Sequence, residues 1–343
     1  MKQSLRYNPV TQHLVYTPLF WLGYMAFRAT GKTPRLSYLS FRRLYGLTHG
    51  RFNQRISERI QRPQPTIDVT EGLLGTGEEL AIELDSALDS LRREGFYVFR
   101  NKLPDSQIEQ LVEFSETTPA RLVPPPPGDP APRTFDPENP LAPRYQFSEP
   151  QMLADPSVQR LLADRTLIEL ARRYLGTVPI NDLFTMWWSA PHGDGPSSAA
   201  AQLFHFDMDR FRFLKFFFYL TDVDHDTGPH VYVRGTHRQR PADFFEDRRF
   251  SDAEVEDQFG SDRIEEIVGE RGTILAVDTS GLHKGLALRR GRRLLLQIEF
   301  TNSLFGQDYG RLALPSNTRP DLRDLVARQP EVFERFSVGP SDG

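Results

Sequence analysis

The stretch Ala201-Gln-Leu-Phe-His-Phe-Asp-Met-Asp209 decides how the rest of the chain is read. In an extended chain alternate side chains share a face, so His205 and Asp207 project the same way. A second histidine, His283, follows in Asp278-Thr-Ser-Gly-Leu-His-Lys-Gly285, and the arginine pair Arg292 and Arg293 lies ten residues beyond it. Two imidazoles and one carboxylate fill one face of an octahedron and leave the other open. Non-haem Fe(II) centres use that arrangement to admit a co-substrate and dioxygen.

Outward from this triplet, residues 183–189, 202–207, 211–220, 230–233, 272–277 and 293–300 are β-rich runs bounded by Gly, Pro and Asp. Six strands without long helices between them predict an antiparallel sandwich or barrel. Upstream, Leu80, Ile82, Leu84, Leu88 and Leu91 have helical spacing over 78–94. A short strand over 95–100 and a helix over 104–116 come next. An amphipathic helix over 157–175 is stopped by Gly176. Residues 119–143 are proline-rich and predict an extended loop, read as a wall or lid of the site in preference to an SH3-type ligand. Residues 240–266 read as an acidic, largely helical insertion over the site mouth. The expected organisation is a basic, aromatic extension over 1–65, a catalytic domain over 66–315, and a C-terminal helix and tail over 316–343.

A chain of 343 residues is long enough to bury a core without cross-links. It has no cysteine, which excludes disulfides, thiolate zinc sites and thiol nucleophiles, so any metal is held by His and carboxylates. That composition is compatible with the cytoplasm, and no secretory signal is expected. The net charge of −4 is unevenly spread: residues 1–62 hold eleven Lys/Arg against the single acid Glu58. The apolar patch at 14–27, interrupted by Pro18, is too short to span a bilayer. One reading of the extension is peripheral contact with anionic lipid. The favoured reading is an arm packed on the catalytic domain. A nucleic-acid partner is not expected, because no binding motif accompanies the charge.

His225, His230 and His237 are assigned structural or surface roles, since none has a carboxylate at ligand spacing on a strand. A five-carbon keto-diacid that chelates a metal through its 2-oxo and adjacent carboxylate leaves a distal carboxylate in need of a guanidinium. Arg293, at the start of the strand after His283, can supply it. Arg292 competes, but alternation sends the two to opposite faces, so only one enters the barrel.

With those residues stated, the chain resembles the phytanoyl-CoA dioxygenase family of Fe(II)/2-oxoglutarate-dependent oxygenases. The resemblance runs from about Leu91 to Phe300. It rests on Arg93-Glu-Gly-Phe-Tyr-Val-Phe, Ala171-Arg-Arg-Tyr-Leu-Gly, Phe204-His-Phe-Asp, Tyr219-Leu-Thr-Asp-Val-Asp-His-Asp-Thr-Gly-Pro, Arg234-Gly-Thr-His-Arg, and Gly281-Leu-His-Lys-Gly through Gly291-Arg-Arg. It implies a mainly β double-stranded β-helix (a cupin-like jelly roll) with flanking and N-terminal helices. It implies His205, Asp207 and His283 as iron ligands and Arg293 as the clamp on 2-oxoglutarate. Gln202, Trp187 and Phe217 are further co-substrate candidates, and Lys215 is another plausible pocket liner. Arg234 replaces the family's proline before Gly-Thr-His.

The activity implied is oxidation of a small-molecule or lipid-like metabolite, with 2-oxoglutarate and dioxygen converted to succinate and carbon dioxide. Because Asp207 is retained where related halogenases lack the carboxylate, hydroxylation is favoured, with desaturation and ring closure open to the same chemistry. The alternatives are a cupin-type metalloenzyme that does not use 2-oxoglutarate, and a non-catalytic membrane-surface or scaffold protein with a vestigial site.

Overall fold

A computed structural model describes residues 9–62, 69–193 and 195–337. The expected boundary at 65/66 and the end of the tail beyond 337 lie outside the described residues.

Ten strands carry the architecture: β1 (Phe96–Val98), β2 (Arg121–Val123), β3 (Arg144–Gln146), β4 (Ile180–Ser189), β5 (Phe213–Tyr219), β6 (His230–Val233), β7 (Ile264–Ile267), β8 (Ile274–Val277), β9 (His283–Gly285) and β10 (Arg293–Thr301). The larger sheet runs β1-β8-β5-β10-β4-β3-β2, and the smaller runs β9-β6-β7. All pairings in both are antiparallel. The non-sequential order is that of a jelly roll, in which strands adjacent in sequence pass from one sheet to the other.

Period-two alternation explains the layering. On β10, Leu294, Leu296, Ile298 and Phe300 pack outward with Leu214, Phe216 and Phe218 of β5 into the main core. That core includes Leu80, Leu84, Leu88 and Leu91 of the helix Gly77–Arg93, and Leu167, Ile168, Leu170 and Ala171 of the helix Arg165–Leu175. The residues between them face inward: Leu295, with Trp187, Phe217 and Tyr219, meets Tyr232 and Ile267 of the smaller sheet. The space between the two sheets is where the triplet points.

Several expectations need correction. Pro18 does not interrupt the extension: one helix, α1 (Pro9–Thr30), runs through it, and α2 (Arg35–Thr48) and α3 (Arg51–Ile60) follow. Phe20, Phe41, Leu44 and Ile56 pack with Phe211 and Phe305 of the β domain, a burial that outweighs one missing helical hydrogen bond. Helix α2 is further tied down by Arg42, which donates to both Asp247 oxygens at 2.7 and 2.8 Å. The extension is thus a packed arm, although Leu14, Leu22, Met25 and Leu36 remain exposed. No helix among the described residues is long and apolar enough to cross a membrane.

The proline-rich segment is not wholly loop, because β2 pairs with β3. The run at 202–207 forms only bridges, Phe204 to Phe250 and His205 to His283, where a full strand was expected. The acidic insertion contains the helix Asp252–Phe259, but its end pairs with β6 as β7. These departures share a cause: short edge pairings depend on a partner distant in sequence.

Candidate metal centre

His205 and His283 are opposite one another, each accepting the other's backbone N–H at 2.8–2.9 Å. Asp207 N–H donates to the Thr279 carbonyl at 2.8 Å, which extends the pairing past the triplet. This register brings residues 78 positions apart onto one face, with one ligand atom each from His205, Asp207 and His283 mutually within 4.8 Å. His205 Nε2 is 3.7 Å from Asp207 Oδ1, and His283 Nε2 is 3.7 Å from Asp207 Oδ2.

Each imidazole has its other nitrogen committed. His205 Nδ1 lies 2.9 Å from the Leu203 carbonyl and His283 Nδ1 3.0 Å from the Gly281 carbonyl. A carbonyl only accepts, so Nδ1 carries the proton and Nε2 presents its lone pair toward Asp207. Burial, above all, holds the two rings neutral, His205 down to about 3 and His283 down to about 4. Neutral imidazole is the form that ligates a metal.

Burial alone would raise the Asp207 carboxyl, but Lys215, followed by the two histidines, holds it well below the usual carboxylate range. Lys215 Nζ donates to Asp207 Oδ2 at 2.6 Å and lies 3.3 Å from Glu299 Oε2. Glu299 gains no hydrogen bond of good geometry there, and burial pushes it up to about 8. The following turn is fixed by Arg210, whose guanidinium makes a fully buried, bidentate pair with Asp182 at 2.6 and 2.7 Å.

A second, cationic pocket lies beside the triad. Register places Arg144, Ser189 and Arg293 in one row across β3, β4 and β10. Arg293 is buried and Arg292 exposed, with Arg292 lying over the outward ring of Trp188. Arg293 donates to Ser189 Oγ at 3.3 Å, and its Nε has no partner. Arg144 sits 4.0 Å from the Trp187 ring centroid, also with an enclosed, unpartnered Nε. Neither guanidinium meets a carboxylate among the described residues. Burial first, then Arg293 and Arg121, bring Arg144 down to about 9. One buried and one half-buried cation without a counter-charge make a receptor for an anion.

Of the other expected residues, Phe217 lines the intersheet space and packs on His230, ring centroids 5.0 Å apart. Trp187 lines it too, beneath Arg144. Gln202 is buried, but its Oε1 accepts from Ser197 N–H at 2.6 Å and braces the preceding turn. His230 is buried with its Nε2 unpartnered, and is neutral for the same reason as the triad histidines. Sequence reasoning missed Arg144 and Ser189. A lone arginine at the start of a three-residue strand carries no signal until that strand is paired.

A model of the phytanoyl-CoA dioxygenase family matches residues 91–291, more than half of the chain. The chain belongs to the phytanoyl-CoA dioxygenase family. It is accordingly a non-haem iron, 2-oxoglutarate-dependent oxygenase with a jelly-roll fold, and the donor set above fits both groups: neutral Nε2 atoms and an ionised carboxylate for Fe(II), unpaired guanidiniums for a dicarboxylate. Among solved structures, the chain is similar to AviO1 from Streptomyces viridochromogenes Tue57 (18% identity, TM-score 0.44, covering 63% of this chain and 94% of that one). It is also similar to the non-heme alpha ketoglutarate dependent carbocyclase SnoK from nogalamycin biosynthesis (14%, TM-score 0.47, 68% and 87%). A third is HygX from Streptomyces hygroscopicus, solved with nickel, 2-oxoglutarate and hygromycin B bound (16%, TM-score 0.43, 68% and 93%). No curated protein matches the chain significantly in sequence.

Proposed function

We propose that this phytanoyl-CoA dioxygenase family member hydroxylates a small-molecule metabolite, with His205, Asp207 and His283 as the iron ligands and Arg293 as the clamp on the distal carboxylate of 2-oxoglutarate. The observation that carries the reading is the geometry of the triad: two Nε2 lone pairs, their tautomers fixed by the Leu203 and Gly281 carbonyls, facing one carboxylate at 3.7 Å. When bound, iron with 2-oxoglutarate supplies the oxidising power, releasing succinate and carbon dioxide.

The chain's own residues supply placement. Lys215 keeps Asp207 ionised and oriented. Arg293 and Arg144 offer the paired cations that a dicarboxylate needs, and Trp187 and Phe217 wall the pocket against water. Gln202 is assigned a bracing role in place of direct co-substrate contact. The absence of cysteine fits a reducing cytoplasm.

The test is anaerobic titration of the protein with Fe(II) and 2-oxoglutarate, followed by oxygen exposure and succinate assay. A weak visible charge-transfer band should form in wild type and be lost in His205→Ala, and Arg293→Ala should abolish succinate. Turnover without succinate, unaffected by Arg293→Ala, would instead identify a cupin-type enzyme independent of 2-oxoglutarate. A folded wild type with no band at saturating ligand would leave a vestigial site.

A further inference from the structure

The bridge between Phe204 and Phe250 has a consequence for the residue beside it. Antiparallel pairing of Phe204 with Phe250, with the Phe250 N–H donating to the Phe204 carbonyl at 2.9 Å, sets Arg249 across from His205. His205 is in turn across from His283. Arg249, His205 and His283 therefore form one row over three adjacent bridged segments, on the face that carries the triad, at a spacing of about 4.8 Å per segment.

Arg249 differs from every charged group near it. Its neighbour Arg248 reaches Glu246 at 3.2 Å and Glu254 at 3.0 Å. The nearest acid in sequence, Asp247, is engaged by Arg42 of the arm through two hydrogen bonds. Arg240 and Arg263 make no ion pair either, but their guanidiniums donate to backbone carbonyls, whereas the Arg249 side chain makes neither an ion pair nor a hydrogen bond among the described residues and is open to solvent. The favourable charge that it feels most strongly is Asp207. That carboxylate is already held by Lys215 and, on the reading above, ligates the metal. The guanidinium is left with a free fork beside the centre, on a segment that the arm clamps in place.

We propose that Arg249 anchors an anionic group, a carboxylate or a phosphate ester, of the small molecule oxidised at the His205, Asp207 and His283 centre. This rests on the metal-site reading and deepens it by giving the substrate a charge. Planar, bidentate recognition of either oxyanion is what a free guanidinium does best. The arm acts in the same site as a positioning element, through Arg42 and Asp247.

The experiment uses the full chain loaded with Mn(II) and 2-oxoglutarate. Paramagnetic broadening is measured for phenyl phosphate (³¹P), benzoate (¹³C carboxylate) and, as a neutral control, benzyl alcohol (¹³C). One of the two anions should be broadened well beyond the alcohol, which also tells phosphate from carboxylate. Arg249→Gln should weaken that binding by about tenfold or more, and Arg249→Lys by less. Equal binding in wild type and Arg249→Gln, or no preference for either anion over the alcohol, would overturn the proposal. So would loss of 2-oxoglutarate affinity in Arg249→Gln, since the anion would then be the co-substrate. If wild type itself forms no Fe(II) and 2-oxoglutarate band, the metal-site reading fails and takes this one with it. An intact band with an indifferent Arg249 sinks this inference alone.

Discussion

Lys215 Nζ donates a 2.6 Å hydrogen bond to Asp207 Oδ2, so the carboxylate of the triad is held by a buried cation on the facing sheet. The ammonium takes Oδ2, the oxygen 3.7 Å from His283 Nε2, while Oδ1 faces His205 Nε2 at 3.7 Å. In the metal-free protein it is also the main balancing charge.

Removing that charge should therefore be costly, and a metal should offset the cost. Lys215→Met is expected to destabilise the metal-free protein by roughly 3 kcal/mol, because Asp207 is left enclosed without its partner. Saturating Mn(II) binds only the folded form and should recover part of the loss. Guanidinium unfolding with and without Mn(II) measures both, and an identical deficit in the two conditions would show that Lys215 does not act through Asp207.

Glu299 predicts a pH dependence. Its folded value, pushed up to about 8 by burial, lies above the ordinary value of 4.5. The folded state thus binds more protons than the unfolded state between those values, and the stability that Glu299 contributes is full below 4.5 and lost as pH rises through 8. Thermal melts of Glu299→Gln across pH 5 to 9 should show a shallower decline on the alkaline side than wild type. Parallel profiles would mean that Glu299 stays ionised beside Lys215.

Gly281 sits two residues before His283, and a Cβ there would collide with the Tyr232 hydroxyl, which itself donates to the Asp278 carbonyl at 2.8 Å. Gly281→Ala should cost about 1–3 kcal/mol through displacement of Tyr232 or of the backbone leading to His283. Metal affinity should fall with it. Adding Tyr232→Phe removes the hydroxyl in the way and should restore part of the affinity. No restoration in the double variant would place the strain in the Tyr232 ring, whose Cζ lies 2.6 Å from the added Cβ, or in the backbone of His237 at 3.0 Å.

Arg293 and Arg144 should contribute unequally to 2-oxoglutarate binding. Arg293→Lys keeps the charge but loses the fork, and is expected to weaken binding by on the order of 100-fold. Arg144→Met keeps the apolar contact with Trp187 and should weaken it by about tenfold. Titration of the visible band in each variant gives both numbers. An unchanged affinity in Arg293→Lys would remove it from the co-substrate site.

Much of the site was legible because its chemistry lies in a short pattern. His205-Phe-Asp207 with His283 names three residues that the structure gathers, and alternation alone states that Arg292 and Arg293 part company. Arg144 and Arg249 were not legible. Arg144 begins a three-residue strand whose partner Ser189 is 45 positions away, Arg249 adjoins an isolated bridge between Phe250 and Phe204, 46 positions apart, and nothing local distinguishes either from a surface arginine. Pro18 misled for a related reason: its local cost is real, but the burial of Phe20 against Phe211 and Phe305 is not visible from α1 alone.

The sequence by itself determined an antiparallel sandwich or barrel and the donor types, because strand alternation and ligand spacing are properties of the chain, and its motifs carried the resemblance that implied the jelly roll and the family. Tertiary structure alone decided which charges remain unpaired. Lys215 is spent on Asp207, Arg42 on Asp247 and Arg210 on Asp182, while Arg144, Arg293 and Arg249 keep free hydrogen-bonding capacity. An ion pair forms between side chains that the fold brings within a few ångströms, and that proximity is a property of register and packing across sheets.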